Sequence, residues 1–234
     1  MRTGAFHGPV PSTKRVLTIP SQGVLCYYGL KLRGEAMHWL LASGALFLSA
    51  TVAAAGDPLF DAVSAGDALA VEQSLTSGAD VDSRTRDQST PLINAALANQ
   101  IAIVELLIGK HADVMARNSG GFTALHAAAY SGSVPISKLL LDHGAILDDA
   151  SNKAGVTPLM VAGEENNVAL AEFLLAKGAD VGHVEVHGYA PITRAIWKGN
   201  FDIVRLFKRH GVTCPPLSVL GEAEFYTKCM EIHQ

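Results

Sequence analysis

Histidine is the residue type in this 234-residue sequence best suited to metal binding or acid–base chemistry, and there are nine of them. His183 and His187 flank Glu185, so these three side chains could approach one ion. A metal-binding or enzymatic protein that uses them is therefore one hypothesis for the function. The pattern offers no further ligand, and we expect neither a metal site nor a cofactor.

Three other histidines, His111, His143 and His210, share one position of the sequence repeat described below. Packed helical layers would place them ~10 Å apart. The ligands of one zinc ion lie only ~2 Å from it. We therefore do not expect these histidines to share a metal.

The carboxylates do not form a recognisable catalytic pair. Glu164 and Glu165 are adjacent, so on a helix their side chains diverge, and we expect an exposed or partner-facing patch. Asp148, Asp149 and Asn152 do not fit the D-x-[DN]-x-[DN]-G pattern of a calcium loop. The sequence also contains neither G-x-S-x-G nor a phosphate-binding glycine loop, and we predict that the protein is not an enzyme.

Two cysteines, Cys214 and Cys229, lie near the C-terminus and would pair in an oxidising compartment if their geometry allowed it. One continuous helix over residues 216–233 would separate them by ~20 Å. A disulfide needs Cα atoms within ~7 Å. A break at Gly221 would bring them closer, so the disulfide stays an open possibility.

The first 55 residues have the features of a secretory signal. Lys31 and Arg33 precede an uncharged apolar run, Trp39–Val52, and the small residues Ala53–Ala55 follow it. We predict a signal peptide over 37–55, cleaved after Ala55, and an unstructured leader over 1–36, with Met37 as a possible true start. The alternative is an uncleaved membrane anchor, because the run approaches the roughly 17–25 residues that span a bilayer.

Composition and charge narrow the class of partner. With 49% apolar and 17% charged residues the chain should fold. The sequence has 18 basic and 22 acidic residues. Five of the basic residues and one of the acidic residues fall within residues 1–55, so the rest of the chain has a net charge of −8. An acidic domain disfavours nucleic acid and anionic membranes as partners.

A phrase that recurs every 33 or 34 residues organises the rest of the chain. Its four copies are STPLINAAL from Ser89, FTALHAAAY from Phe122, VTPLMVAGE from Val156 and YAPITRAIW from Tyr189. Threonines at N-cap positions (Thr90, Thr123, Thr157) and prolines in the first turn (Pro91, Pro158, Pro191) predict that each phrase starts a helix. A second apolar phrase such as IVELLIGKHADV from Ile103 predicts an antiparallel helix, and polar residues between copies predict an extended finger.

These phrases strongly resemble the ankyrin repeat, with its G-x-T-P-L-H-x-A-A and V-x-x-L-L-x-x-G-A-D patterns. The residues that match are Thr123, Leu125, His126, Ala128, Ala129 and Gly178-Ala179-Asp180. The resemblance implies an all-α solenoid of about five helix-turn-helix repeats, stacked right-handedly, joined by fingers and closed by two caps. The boundaries expected are an N-terminal capping repeat at 56–85, repeats at 86–118, 119–152, 153–186 and 187–214, and a C-terminal capping helix at 215–234. It also implies that His126 ties neighbouring repeats together.

The resemblance further implies a protein that binds another protein through its concave face, without a cofactor. Aromatic residues there occupy positions that vary between copies, which is typical of binding hot spots. The predicted partner-binding residues are Arg86, Phe122, Tyr130, Ser131, Glu164, Glu165, His187, Tyr189, Trp197 and Lys198. Tyr130→Ala and Trp197→Ala should each weaken binding by ~2 kcal/mol or more and leave the melting transition nearly unchanged.

The predicted signal places this binder in the periplasm or outside the cell, as in exported bacterial ankyrin-repeat proteins, which the chain resembles. If the N-terminal segment is not cleaved, the protein is instead an adaptor anchored in the inner membrane.

Overall fold

The structure is a computed structural model that describes residues 57–232. The predicted leader, signal peptide and cleavage site lie outside these residues. Between 57 and 232 the chain forms helices and no strands. They are α1 (Pro58–Ala65), α2 (Ala68–Thr76), α3 (Pro91–Leu97), α4 (Ile101–Gly109), α5 (Ala124–Ser131), α6 (Val134–Asp142), α7 (Pro158–Glu164), α8 (Val168–Ala176), α9 (Pro191–Lys198), α10 (Phe201–Arg209), α11 (Leu217–Leu220) and α12 (Ala223–Glu231). In this range no helix is both long and apolar enough to cross a membrane.

Ten of these helices form five antiparallel pairs, which we number as repeats 1 to 5 from α1–α2 to α9–α10. Within a repeat the first helix contacts the second, and it also contacts the first helix of the next repeat, as α3 contacts α5 and α5 contacts α7. The predicted all-α ankyrin-type solenoid of about five repeats is therefore confirmed.

Capping side chains fix where the first helices begin. The hydroxyls of Thr90 and Thr157 accept hydrogen bonds from Ile93 N and Met160 N, both at 3.3 Å, as the N-cap prediction requires. Asp57 caps α1 in the same way, with its Oδ1 3.0 Å from Leu59 N. In α9 the N-cap is Ala190, which has no side chain to accept such a bond.

The same type of hydrogen bond closes each finger. A side-chain oxygen accepts a hydrogen bond from the backbone N–H four residues later, over distances of 2.9–3.3 Å. The closing residues are Thr85, Asn118, Asn152 and Glu185, and they define fingers 1 to 4. Successive fingers are also joined, because Ser119 N donates to Asp87 O at 2.8 Å and Val186 N donates to Ala154 O at 3.1 Å.

In α1, α5 and α7, free carbonyls near the end of the helix accept hydrogen bonds from an amide of the following repeat. Gln100 Nε2 donates to Val63 O at 2.8 Å, and Asn167 Nδ2 donates to Ala129 O at 2.9 Å. Asn200 repeats this contact on α7. These amides precede the second helices, and they tie repeats 2, 4 and 5 to the repeats before them.

The C-terminal cap differs from the single helix predicted over 215–234. Gly221 adopts φ +78°, in the left-handed region, and separates α11 from α12. The chain therefore turns back on itself, and Cys214 and Cys229 form a disulfide with Cα atoms 6.0 Å apart. The ~20 Å separation expected for one helix does not arise, because the helix is broken.

Candidate protein-binding groove

In repeats 2 to 5, the fourth and seventh positions of the first helix lie on one inner face of the stack. They are Asn94 and Leu97 in α3, Ala127 and Tyr130 in α5, Val161 and Glu164 in α7, and Arg194 and Trp197 in α9. All but Trp197 border a groove of about 460 Å³, to which fingers 1 to 3 also contribute. A concave, partly apolar surface of this kind is typical of binding sites.

The centre of the groove is apolar. Tyr130 and Leu97 are 56% and 48% exposed, so both offer apolar surface to a ligand in the groove. Ala127, between them in sequence, is buried and small, so it forms a floor rather than a wall. Phe122 adds an aromatic edge from finger 2, where its ring meets the His126 ring edge-on at 5.3 Å.

Charged residues lie around this apolar centre. Arg194 Nε donates to Glu164 Oε1 at 2.7 Å across the boundary between repeats 4 and 5. Glu165 is exposed at the end of α7. On finger 1, hydrogen bonds from the hydroxyls of Thr85 and Ser89 hold the pKa of Asp87 below its ordinary value, so this carboxylate is charged at neutral pH.

Four of the ten predicted partner-binding residues therefore meet in one groove: Phe122, Tyr130, Glu164 and Glu165. Of the others, Arg86 and Lys198 are exposed but do not line it. Ser131 is half-buried, and its hydroxyl donates to Ala96 O at 2.9 Å. That bond ties repeat 3 to repeat 2, as the amides do elsewhere, so Ser131 has a structural role at this position.

The remaining three predicted residues form an aromatic cluster near the C-terminal cap. The Tyr189 ring meets the Trp197 ring edge-on, with 4.6 Å between their centroids, and it stacks on the His187 ring, with 6.4 Å between their centroids. Trp197 Nε1 also donates to Leu220 O in α11 at 3.1 Å. Trp197 thus helps to hold the cap in place, which changes the expectation that removing it would leave stability unaffected.

The groove residues that were not among the predicted ones include four on the first helices: Asn94, Leu97, Val161 and Arg194. The repeat itself holds the signal that would have found them. They occupy the same two helix positions as Ala127 and Tyr130, and residue type at these positions varies from copy to copy.

A buried polar network adjoins the groove lining, to which two of its members, Thr123 and His126, belong. Arg117 binds Asp149 through two hydrogen bonds of 2.6 and 3.0 Å, and the Asp149 side chain is only 2% exposed. Burial by itself raises the pKa of Asp149, but the hydrogen bonds from Arg117 and the Ser151 backbone outweigh it, so the pKa lies below its ordinary value. The pair joins the segments before fingers 2 and 3.

His126 belongs to the same network. Its Nε2 lies 3.0 Å from Val156 O and its Nδ1 lies 3.0 Å from the Thr123 hydroxyl. Burial lowers the pKa of His126, which favours the neutral ring at physiological pH. The contact with Val156 links repeat 3 to finger 3, as the family resemblance implies.

The other histidines are engaged separately. His183 Nε2 lies 2.8 Å from Gly155 O, while His187 Nδ1 lies 2.8 Å from Glu185 Oε2. Glu185 also accepts the Tyr189 N–H that closes finger 4. Within residues 57–232 no group of three or more His, Cys, Asp or Glu side chains has a metal-holding arrangement.

The prediction that His111 shares a repeat position with His143 and His210 was wrong. His143 and His210 are the C-cap residues of α6 and α10. His111 lies one position later, with φ +65°, where other repeats have Gly144, Gly178 and Gly211 in the left-handed conformation.

The comparison with protein families agrees with this architecture. The family model "Ankyrin repeats (3 copies)" matches residues 59–151 and 146–215, which is more than half of the chain. The chain belongs to the ankyrin-repeat family. No curated protein matches the sequence significantly. Ankyrin repeats are generally protein–protein interaction modules, so the groove on the inner face is the candidate binding site.

Proposed function

We propose that this ankyrin-repeat protein is an exported, non-enzymatic binder that holds a partner protein in the groove formed by α3, α5 and α7. The observation that carries the proposal is the exposure of Tyr130 and Leu97 over the small Ala127. Exposed aromatic and aliphatic side chains around a hollow are typical of interface hot spots.

The test is to remove the apolar walls of the groove. Tyr130→Ala should weaken partner binding by about 2 kcal/mol or more, which is roughly 30-fold in Kd. Leu69→Ala is the matched control, because Leu69 is 72% exposed but lies on α2, outside the groove. Partners can be found by capture from the native compartment on the wild-type protein, with the Tyr130→Ala variant beside it.

A partner that the wild-type protein and the Tyr130→Ala variant retain equally would contradict the proposal. Trp197→Ala is not a clean probe of the groove, because the Trp197 indole donates to the cap. We expect this variant to lose folding stability as well, which a denaturant titration would show.

Export is the second part of the proposal. It is supported by the apolar run that ends at Ala53–Ala55 and by the Cys214–Cys229 disulfide, since disulfides persist mainly in oxidising compartments. Replacing Ala53 and Ala55 with bulky residues should block processing and leave a heavier, membrane-retained form. A normal-sized soluble product would count against the signal. A wild-type protein that keeps its N-terminal segment in the membrane would instead indicate the anchored adaptor.

A further inference from the structure

The charges on the groove are unequal once internal pairs are removed. Its lining carries three carboxylates, Asp87, Glu164 and Glu165, and one guanidinium, Arg194. Glu164 and Arg194 neutralise each other at 2.7 Å. Asp87 and Glu165 therefore leave the groove with a residual negative charge.

These two carboxylates lie at different ends of the groove. Asp87 is on finger 1, which leads into α3, whereas Glu165 directly follows α7, two repeats further along. Asp87 is already used by the hydroxyls of Thr85 and Ser89. Glu165 is exposed and accepts no side-chain hydrogen bond from the residues at 57–232, so it is the carboxylate most open to a ligand.

A polar group also lies beside the apolar centre. Asn94, half-buried on α3, makes no side-chain hydrogen bond with another residue of the described range. A primary amide offers both a donor and an acceptor, which is what a peptide backbone requires. The groove thus combines a site for a backbone, a hollow for an apolar side chain and a carboxylate for a cation.

We propose that the groove binds a protein segment in which a bulky apolar residue stands next to a lysine or arginine. This inference rests on the proposed function and specifies its partner. The apolar side chain lies over Ala127, between Leu97 and Tyr130, and the cation pairs with Glu165. An acidic segment is disfavoured, because it would bring like charges together on a domain whose net charge is −8 after residue 55.

Selection from a random peptide library on the purified protein tests the inference before any natural partner has been identified. The selected peptides should be enriched in Lys or Arg next to Leu, Ile, Phe or Tyr. The affinity of the best peptide is then measured for wild type, Glu165→Lys, Glu165→Gln and Tyr130→Ala. Glu105→Lys is the matched control, because Glu105 is exposed on α4 and lies outside the groove.

We expect Glu165→Lys to weaken peptide binding at least tenfold, Glu165→Gln to weaken it less, and Glu105→Lys to change it less than twofold. Raising the salt concentration from about 0.05 M to about 0.5 M should weaken wild-type binding more than binding by Glu165→Lys, since salt screens the ion pair. Denaturant titrations of the variants confirm that each remains folded.

The outcomes separate the two proposals. If Tyr130→Ala abolishes binding but the selected peptides are neutral or acidic and Glu165→Lys binds normally, the cation inference is overturned and the groove stands. If Tyr130→Ala binds as well as wild type, the groove itself fails. If wild-type protein selects no peptide, the inference is also overturned.

Discussion

Single residues of the core can be judged by comparing equivalent positions of the five repeats. In each repeat the fourth residue of the second helix is fully buried: Val71, Val104, Ser137, Ala171 and Val204. Ser137 is the one polar member of this set, and its hydroxyl has no hydrogen-bond partner within residues 57–232. A buried hydroxyl without a partner costs about 1–3 kcal/mol.

Ser137→Ala should therefore stabilise the protein by about 1 kcal/mol, because it removes the unsatisfied hydroxyl and leaves a side chain of similar size. The measurement is the midpoint of unfolding in urea. Val104→Ser is the matched opposite change, and it should destabilise because it creates the same defect one repeat earlier. A Ser137→Ala variant less stable than wild type would mean that an internal water satisfies the hydroxyl.

The repeat pattern predicts the roles of many single residues, but only at positions that have equivalents in the other copies. The caps Thr90 and Thr157 follow from a local pattern, since an N-cap depends on residues within one turn. The bond from Ser131 to Ala96 could not be predicted this way. It replaces an amide that repeat 3 lacks, because Ser133 stands where Asn167 and Asn200 reach back to the preceding repeat.

Among the elements, the C-terminal cap departs furthest from the repeat. Interactions of several kinds hold its two short helices against repeat 5. Trp197 donates to Leu220 O, Lys208 Nζ donates to Cys229 O at 2.9 Å, and the disulfide joins Cys229 to Cys214. Four-residue and nine-residue helices are too short to be stable alone, so the cap depends on these attachments.

Reduction of the Cys214–Cys229 disulfide should destabilise the protein by about 3 kcal/mol, the value expected for a loop of this length. The bridged residues are 15 apart in sequence. Thermal melts with and without a reductant measure the effect, and the double variant Cys214→Ser, Cys229→Ser serves as the control that should not respond to reductant. Equal melting of the wild type in both conditions would show that the disulfide does not hold the cap.

The cap also gives Trp197 a role that the sequence did not predict. From the sequence, Trp197 and Tyr130 are equivalent residues of their first helices, and both were assigned to the binding surface. Tyr130 faces the open groove, but Trp197 belongs to the last repeat and meets α11 instead of another repeat. The periodicity of the sequence does not say where a repeat lies in the stack, so the contact between Trp197 and the cap could not be predicted from it.

At the scale of the whole molecule, the stack has no single centre. Its core consists of layers in which each repeat is buried by its neighbours, and stability comes from these interfaces as much as from each repeat. Leu107, Leu140 and Leu174 occupy the same position of three successive second helices, and all three are fully buried. They allow one chemical change to be made at three places along the stack.

Leu140→Ala in the central repeat should destabilise the protein by about 2–5 kcal/mol, as is usual for a buried leucine. Because the repeats share their interfaces, we expect Leu107→Ala and Leu174→Ala to destabilise it by similar amounts and all repeats to unfold together. Far-UV circular dichroism reports the whole stack, while the fluorescence of Trp197, the one tryptophan after residue 55, reports the C-terminal end. In every variant, the unfolding midpoints measured by the two signals should shift by the same denaturant concentration. If Leu107→Ala shifts the circular dichroism transition and leaves the Trp197 transition in place, the two ends unfold independently; a change below about 1 kcal/mol for Leu140→Ala would contradict its place in the core.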